Sequence, residues 1–187
     1  MKEYLDIFDE NNKSLNEKKE RKIVHEKGLW HREVSIWIIN DKNELLIQKR
    51  AATKTLAPNK WSLCAGHIMA GETIMEAAIR ETEEEIGIKN LCPADFILFD
   101  IRKSSNITDT VQNNNYKYCY ILKTNYKESD FKIQEEELSE VKFISFDDLR
   151  KWTKKESDIF TGSLKGEKFE NIITKIQDKL KELEEEY

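Results

Sequence analysis

The chain has 187 residues, which is enough for one well-buried domain but short for two. Its apolar fraction of 39% and charged fraction of 36% suit a soluble globular protein, and its net charge of -5 disfavours a nucleic-acid partner. No run approaches the roughly 18 apolar residues that a membrane span needs. Three cysteines without CxxC spacing indicate thiols rather than disulfides. We therefore expect a single cytoplasmic domain with no membrane segment.

The N-terminal half predicts strands separated by turns. The segment YLDIFDENNKSL predicts a strand and a turn, and the charged residues 16–28 predict a helix that ends at Gly28. The β-rich runs EVSIWIIN and ELLIQKR, separated by DKN, predict a hairpin. A loop around Pro58 follows, and WSLCAGHI predicts a short strand.

Residues 72–86 predict an amphipathic helix, and Gly87 predicts its left-handed end. Apolar or small residues recur there at helical spacing and form one buried stripe, which consists of Ile74, Met75, Ala78, Ile79, Thr82 and Ile86.

The C-terminal half predicts three more strands, DFILFDIRK, YKYCYILKT and EVKFISF, and a short helix SFDDLRKW capped by Ser145. Residues 167–187 predict an amphipathic helix that packs on the core or in a homodimer. There are no repeats and no Pro/Gly/Ser linker. We therefore expect residues 1–187 to form one layered α/β unit, with residues 1–30 as an N-terminal extension.

The run ETEEE lies at the end of the predicted helix. Glu81, Glu84 and Glu85 have i, i+3 and i+4 spacing, so their carboxylates converge on one face, whereas Glu83 points elsewhere. Neighbouring carboxylates repel each other when all are ionised, unless a cation binds between them. Carboxylate oxygens are ligands that favour Mg²⁺ or Mn²⁺. A solvated acidic surface is the competing interpretation of this stretch alone.

The spacing around the run resembles the signature box of the Nudix hydrolase superfamily, G-x5-E-x7-R-E-U-x-E-E-x-G-U. By chance, all seven fixed identities would occur together at about one start position in ten million. One position departs, because Thr82 stands where the pattern has an aliphatic residue. The matching residues of the box, 66–88, are Gly66, Glu72, Arg80, Glu81, Glu84, Glu85, Gly87 and Ile88.

The resemblance implies an α/β/α sandwich with a mixed β-sheet and a Mg²⁺ or Mn²⁺ ion held by Glu81, Glu84, Glu85 and the Gly66 carbonyl. It also implies hydrolysis of a diphosphate linkage in a small molecule such as a nucleoside diphosphate derivative. Arg80 is then a candidate for orienting Glu81.

Two parts of the chemistry stay open in the sequence. Glu81, or a glutamate of the run QEEELSE at residues 134–140, is the candidate acceptor of the proton of the attacking water. Lys49, Arg50 and Lys54, at the end of a predicted strand, are candidates for binding substrate phosphate, although ordinary surface charge accounts for them equally simply.

The flank of the box is similar to the branch that contains type I isopentenyl-diphosphate isomerases, which hold a second metal through three histidines and two glutamates. His25, His31 and His67 fall near the matching places. However, the isomerase cysteine precedes Gly-His directly, and here Ala65 has that place and Cys64 lies one residue earlier. The two expected glutamates are replaced by asparagines, Asn113 and Asn115.

Three functions follow from these patterns. The first is a Mg²⁺-dependent diphosphate hydrolase, and the second is an isopentenyl-diphosphate isomerase. A third, a non-catalytic Nudix-type binding module, is disfavoured because none of the box glutamates is lost.

Overall fold

The computed structural model of the protein describes residues 2–107 and 112–185. Its helices and strands, in chain order, are β1 (Tyr4–Phe8), β2 (Ser14–Glu20), α1 (Arg21–Lys27), β3 (His31–Asn40), β4 (Leu45–Arg50), β5 (Trp61–Ser62), β6 (Cys64–His67), α2 (Ile74–Ile86), β7 (Phe96–Ile107), β8 (Gln112–Thr124), β9 (Leu138–Ile144), α3 (Phe146–Lys155) and α4 (Glu167–Glu185).

The main sheet is mixed, as expected. Its central strands β3 and β8 are parallel, whereas β7 joins β8, and β9 and β5 join β4, in the antiparallel sense. The first half of β3 pairs with β6, and the predicted hairpin partner β4 meets β3 only at Ile39 opposite Leu45. The strands β4 and β6 therefore diverge from the same side of β3.

Helices cover both faces of this sheet. Successive side chains of β3 point to opposite faces, so Ile36 and Ile38 pack with Ala78 of α2, and Trp37 packs with Phe169 of α4. The α3 helix lies on the same side as α4. This arrangement confirms the α/β/α sandwich.

Local contacts fix both ends of α2. The Thr73 hydroxyl accepts a hydrogen bond of 3.2 Å from the Glu76 N–H, and the Glu76 carboxylate accepts one of 2.8 Å from the Thr73 N–H. This reciprocal pair is a capping box, which satisfies two otherwise unpaired donors of the first turn. The helix ends at Gly87, whose φ of 74° confirms the predicted left-handed end.

The buried face of α2 includes the residue that departs from the box pattern. Thr82 has no exposed surface, and its hydroxyl donates a hydrogen bond of 2.7 Å to the Ala78 carbonyl. A β-branched side chain with a satisfied hydroxyl thus replaces an aliphatic one. Ala77 and Glu85 are also buried on this face, although neither belongs to the predicted stripe.

The N-terminal region differs from its prediction. A helix was expected over residues 16–28, but residues 16–20 belong to β2 and only Arg21–Lys27 is helical. Backbone pairing explains the difference: the Asp9 carboxylate accepts hydrogen bonds from two backbone N–H groups of the turn, and the chain returns antiparallel to β1 with Leu5 opposite Lys19. The fully buried Leu5 then joins a small apolar cluster with Val24 of α1.

The predicted C-terminal helices are both present. Ser145 caps α3 by accepting a hydrogen bond of 3.1 Å from the Asp148 N–H. The apolar side of α4, which includes Ile173 and Ile176, packs in the core of its own chain, and residues 186–187 lie outside the described part. Association into a homodimer stays a prediction. Among the described residues, no helix is long and apolar enough to cross a membrane.

Candidate active site

Glu81 lies directly against the backbone of β6. A Cβ atom placed on Gly66 would be 2.0 Å from Glu81 Cδ, so any side chain at Gly66 would displace the carboxylate. Burial raises the pKa of Glu81, and the neighbouring Arg80 guanidinium opposes that rise. The glycine of the box thus allows a glutamate from α2 to reach the β6 strand.

Glu85 lies deeper, with 7% of its surface exposed. Burial raises its pKa to about 7, although a hydrogen bond of 2.8 Å from Gln48 Nε2 favours the ionised form. The Gln48 amide also donates to the Leu63 carbonyl at 3.1 Å, which fixes its orientation. A carboxylate that is buried without a full counter-charge favours binding of a cation.

Arg80 connects the acidic residues of the box. Its guanidinium makes a bidentate contact with Glu72 at 2.8 and 2.9 Å, and one N–H donates to Glu81 at 2.6 Å. It also donates to the His67 carbonyl at 3.0 Å, so it ties α2 to β6. Glu84 is the outermost of the three predicted ligands, with 55% of its side chain exposed and a contact of 3.3 Å to Arg80.

Glu81, Glu84 and Glu85 open into one cleft of about 740 Å³. Arg50 and Lys54 line the same cleft, whereas Lys49 does not, because neighbouring side chains of a strand point to opposite faces. The structure therefore brings two of the three candidate phosphate-binding residues to the carboxylates.

The cleft also contains residues from distant parts of the sequence. Gln134 and Glu137 of the run at residues 134–140 line it, and the Glu137 carboxylate forms an ion pair with Lys54. Arg21 lines the cleft as well and contacts Glu3 at 2.6 Å.

The three histidines of the chain form a cluster beside the cleft. One potential ligand atom of each ring lies within 4.8 Å of those of the other two. His31 Nδ1 lies 3.0 Å from the Leu29 carbonyl, which only accepts, so Nδ1 carries a proton and Nε2 is the atom that faces the cluster. Burial lowers the pKa of His25, and it lowers that of His67 to about 3. Neutral imidazoles of this kind suit a transition metal such as Zn²⁺.

Glu33 lies at the edge of the histidine cluster. Its Oε1 is 3.7 Å from His31 Nε2 and 3.5 Å from His67 Nε2, but its Oε2 is 3.0 Å from Lys117 Nζ. Burial alone would raise the pKa of Glu33, but the Lys117 ammonium holds it well below its ordinary value. Asn113 donates a further hydrogen bond of 3.0 Å to Oε1. The carboxylate is thus already paired without a metal.

Cys64 is not among the described residues that line the cleft, although its thiol lies against the Glu85 carboxylate from the core side. It is 3% exposed and pairs with Ile36 in the sheet. Its side chain packs in the core under α2, where burial raises the pKa of the thiol well above the ordinary value. Ala65 takes the corresponding place in the cleft. The shift of one residue therefore turns the thiol to the other face of the strand.

Sequence reasoning missed the pair of Glu33 and Lys117, and it also missed Gln48 and Arg21. Gln48 carried a signal, since it is the polar residue of the otherwise apolar run LLIQ, and a buried polar side chain needs a partner. The sequence contains no signal for Arg21, because the approach of this side chain to the cleft depends on how α1 packs.

Comparisons with known proteins agree with this geometry. Residues 29–161 match the NUDIX domain family. The chain is 34% identical over 154 residues to an uncharacterized Nudix hydrolase of Clostridium acetobutylicum, covering 80% of this chain and 73% of the relative. It is 29% identical over 170 residues to an isopentenyl-diphosphate Δ-isomerase of Aliivibrio fischeri, and the match covers 86% of this chain and 90% of the relative. The crystal structure of DR0079 from Deinococcus radiodurans has a similar fold, with a TM-score of 0.66, 20% identity and coverage of 87% and 94%. The chain belongs to the Nudix hydrolase superfamily, in the branch that is similar to the type I isopentenyl-diphosphate isomerases.

Proposed function

We propose that the protein is a Mg²⁺-dependent hydrolase, also served by Mn²⁺, that cleaves a diphosphate linkage in a nucleoside diphosphate derivative or a similar organic diphosphate. The observation that carries this proposal is the buried Glu85 together with Glu81, whose side chain is 13% exposed and lies against the Gly66 backbone, in a cleft that also contains Arg50 and Lys54. Two largely buried carboxylates favour a hard cation, and the basic side chains favour phosphate.

Glu81, Glu84, Glu85 and the Gly66 carbonyl would hold the ion, which neutralises phosphate oxygens and activates water when bound. Arg80 positions Glu81 through its contacts with Glu72 and the β6 backbone.

The remaining roles fall to residues of the cleft wall. Arg50 and Lys54 bind phosphate oxygens of the substrate. Glu81 or Glu137 accepts the proton of the attacking water, and Glu137 would be released for this role when the substrate phosphate takes its Lys54 partner.

A screen for Mg²⁺-dependent release of phosphate, pyrophosphate or a nucleoside monophosphate tests the proposal. It should cover nucleotide sugars, nucleoside triphosphates, dinucleotides, thiamine diphosphate and isoprenoid diphosphates. On the best substrate, Glu85→Gln should lower kcat about 100-fold. The matched control is Glu83→Gln in the same helix, whose carboxylate contacts Lys89 at 3.7 Å outside the cleft, and it should stay within about twofold of the native rate.

Two results of the screen would contradict the proposal. One is equal metal-dependent activity in the native protein and in Glu85→Gln. The other is no hydrolysis of any substrate class, which would favour the non-catalytic binding module.

Isomerisation of isopentenyl diphosphate is a second candidate function, because the three histidines converge as a metal site would require. The cleft itself favours the hydrolase. The Cys64 thiol is buried in the core under α2, where no substrate can reach it, and the Glu33 carboxylate is paired with Lys117.

Incubation with isopentenyl diphosphate in the presence of Mg²⁺ and Zn²⁺ decides between the two functions. We expect no interconversion of the isoprenoid diphosphates and unchanged hydrolysis in Cys64→Ala. Interconversion that is lost in Cys64→Ala would establish the isomerase instead.

A further inference from the structure

A second cleft continues from the candidate active site across the sheet. It has a volume of about 670 Å³ and lies between β7, β8 and the start of α4. The two clefts share four lining residues, Asn113, Lys117, Thr161 and Ser163. The two clefts are therefore adjacent, and these four residues border both of them.

The second cleft has an excess of positive charge in an acidic protein. Of its five described cations, two are neutralised, since Lys117 lies 3.0 Å from Glu33 and Lys175 lies 2.8 Å from Asp100. A third, Lys103, donates a hydrogen bond to the Glu10 carbonyl and lies 4.6 Å from the centre of the Trp30 ring, which engages its ammonium elsewhere. The side chains of two others, Arg102 and Lys168, form no ion pair or hydrogen bond with any residue in the described ranges. Two uncompensated cations match the charge of a phosphate monoester, which is close to -2 at neutral pH.

The polar groups beside these cations suit a hydroxylated ligand. Asn115 is 2% exposed, and its Oδ1 atom is buried without a hydrogen-bond partner among the described residues. The Oδ1 atom of Asn113 is in the same situation. Amide oxygens accept hydrogen bonds, so hydroxyl donors of a ligand would satisfy them, and Ser104 offers a further hydroxyl nearby.

No aromatic side chain is found among the described residues that line the second cleft. A nucleobase is bound most readily by stacking on aromatic side chains together with apolar contacts, and among the described lining residues only the Arg102 guanidinium offers a plane on which a base could stack. The cleft is instead lined by amides, hydroxyls and cations, and this favours a sugar with an anionic group over a base.

We propose that the second cleft binds a phosphorylated sugar as the distal part of the substrate. The substrate class would then be an organic diphosphate whose second moiety carries hydroxyls and a phosphate monoester. Arg102 and Lys168 bind the monoester, and Asn113 and Asn115 accept hydrogen bonds from the sugar. The inference rests on the proposed function, because it assigns this ligand to the same substrate.

Binding of ribose 5-phosphate to the full chain in the presence of EDTA tests the cleft without metal or catalysis. Calorimetry should give saturable binding, and NMR should show shifts of backbone amides in β7 and at the start of α4. Arg102→Gln and Lys168→Gln should each weaken binding about tenfold or more, because each removes a charged hydrogen bond. The control Lys181→Gln removes an exposed lysine of α4 outside the cleft and should leave binding unchanged.

Three binding results would overturn the inference. The first is an absence of saturable binding, and the second is an equal loss in Lys181→Gln and Arg102→Gln. The third is inorganic phosphate binding as tightly as ribose 5-phosphate, which would leave the sugar without a role.

A kinetic measurement connects the second cleft with the substrate. Ribose 5-phosphate should inhibit hydrolysis competitively, and Arg102→Gln should weaken this inhibition about tenfold. If ribose 5-phosphate bound without inhibiting hydrolysis, the second cleft would not be part of the substrate-binding site, and the inference would be overturned. Hydrolysis without ribose 5-phosphate binding contradicts the inference alone, whereas ribose 5-phosphate binding without any hydrolysis contradicts the proposed function alone.

Discussion

The four glutamates at the end of α2 have similar positions in sequence and different surroundings. Glu83 contacts Lys89 at the surface and Glu84 is largely exposed, whereas Glu85 is buried and only 13% of the Glu81 side chain is exposed. The spacing of the run predicted that three of them share a face. It could not predict which are buried, because that depends on Gly66 in β6 and on Gln48 in β4.

The buried Glu85 makes stability depend on pH in the absence of metal. Its pKa is raised from 4.5 to about 7, so the folded state binds this proton more tightly than the unfolded state. The resulting stabilisation is fully present below pH 4.5 and is lost as the pH rises through 7. In EDTA at pH 8.5, Glu85→Gln should therefore raise the free energy of unfolding by about 1 to 3 kcal/mol, because it removes the cost of the buried charge.

Urea denaturation of both proteins at pH 8.5 and pH 4.5 measures this effect. At pH 4.5 the two free energies of unfolding should agree within about 0.5 kcal/mol. If Glu85→Gln raised the free energy of unfolding at pH 4.5 as much as at pH 8.5 or more, Glu85 would not be a buried acid with a raised pKa.

At the scale of elements, the sequence predicted most strands and helices, because their apolar periodicities are regular and their caps are local. The helix α2 illustrates this, since Gly87 marks its end in the sequence. The wrong prediction over residues 16–20 has the opposite cause. These residues are polar and take their conformation from pairing with β1, which no local pattern reveals.

The junction of β6 and α2 is the contact between elements on which the site depends. Gly66→Ala should lower kcat about 100-fold with little loss of folded structure, because its methyl group would occupy the place of the Glu81 carboxylate. Gly71→Ala is the matched control. Its Cβ meets nothing within 4 Å, but its φ of 82° strains an alanine. It should therefore cost about 1 kcal/mol of stability and retain activity.

Circular dichroism, thermal unfolding and hydrolysis rates of both variants measure this contrast. Full activity in Gly66→Ala would show that Glu81 does not need its place against β6.

At the scale of the whole molecule, the layered α/β architecture followed from the sequence, but the assembly of the site did not. The pair formed by Lys54 and Glu137 joins residues 83 positions apart, and the pair of Glu33 and Lys117 joins neighbouring parallel strands. Such contacts depend on strand order and on the split between β4 and β6. The continuation of the active-site cleft towards α4 likewise arises only when β7, β8 and α4 come together.

The central claim is that the buried carboxylates of α2 hold the divalent ion on which hydrolysis depends. Calorimetric titration of Mg²⁺ into the native protein, Glu85→Gln and Glu83→Gln tests it most directly, since this oxygen-rich site suits Mg²⁺ better than the histidine cluster does. The native protein and Glu83→Gln should bind Mg²⁺ with equal affinity, and Glu85→Gln should bind it at least about tenfold more weakly. Equal affinity in all three proteins would contradict the claim.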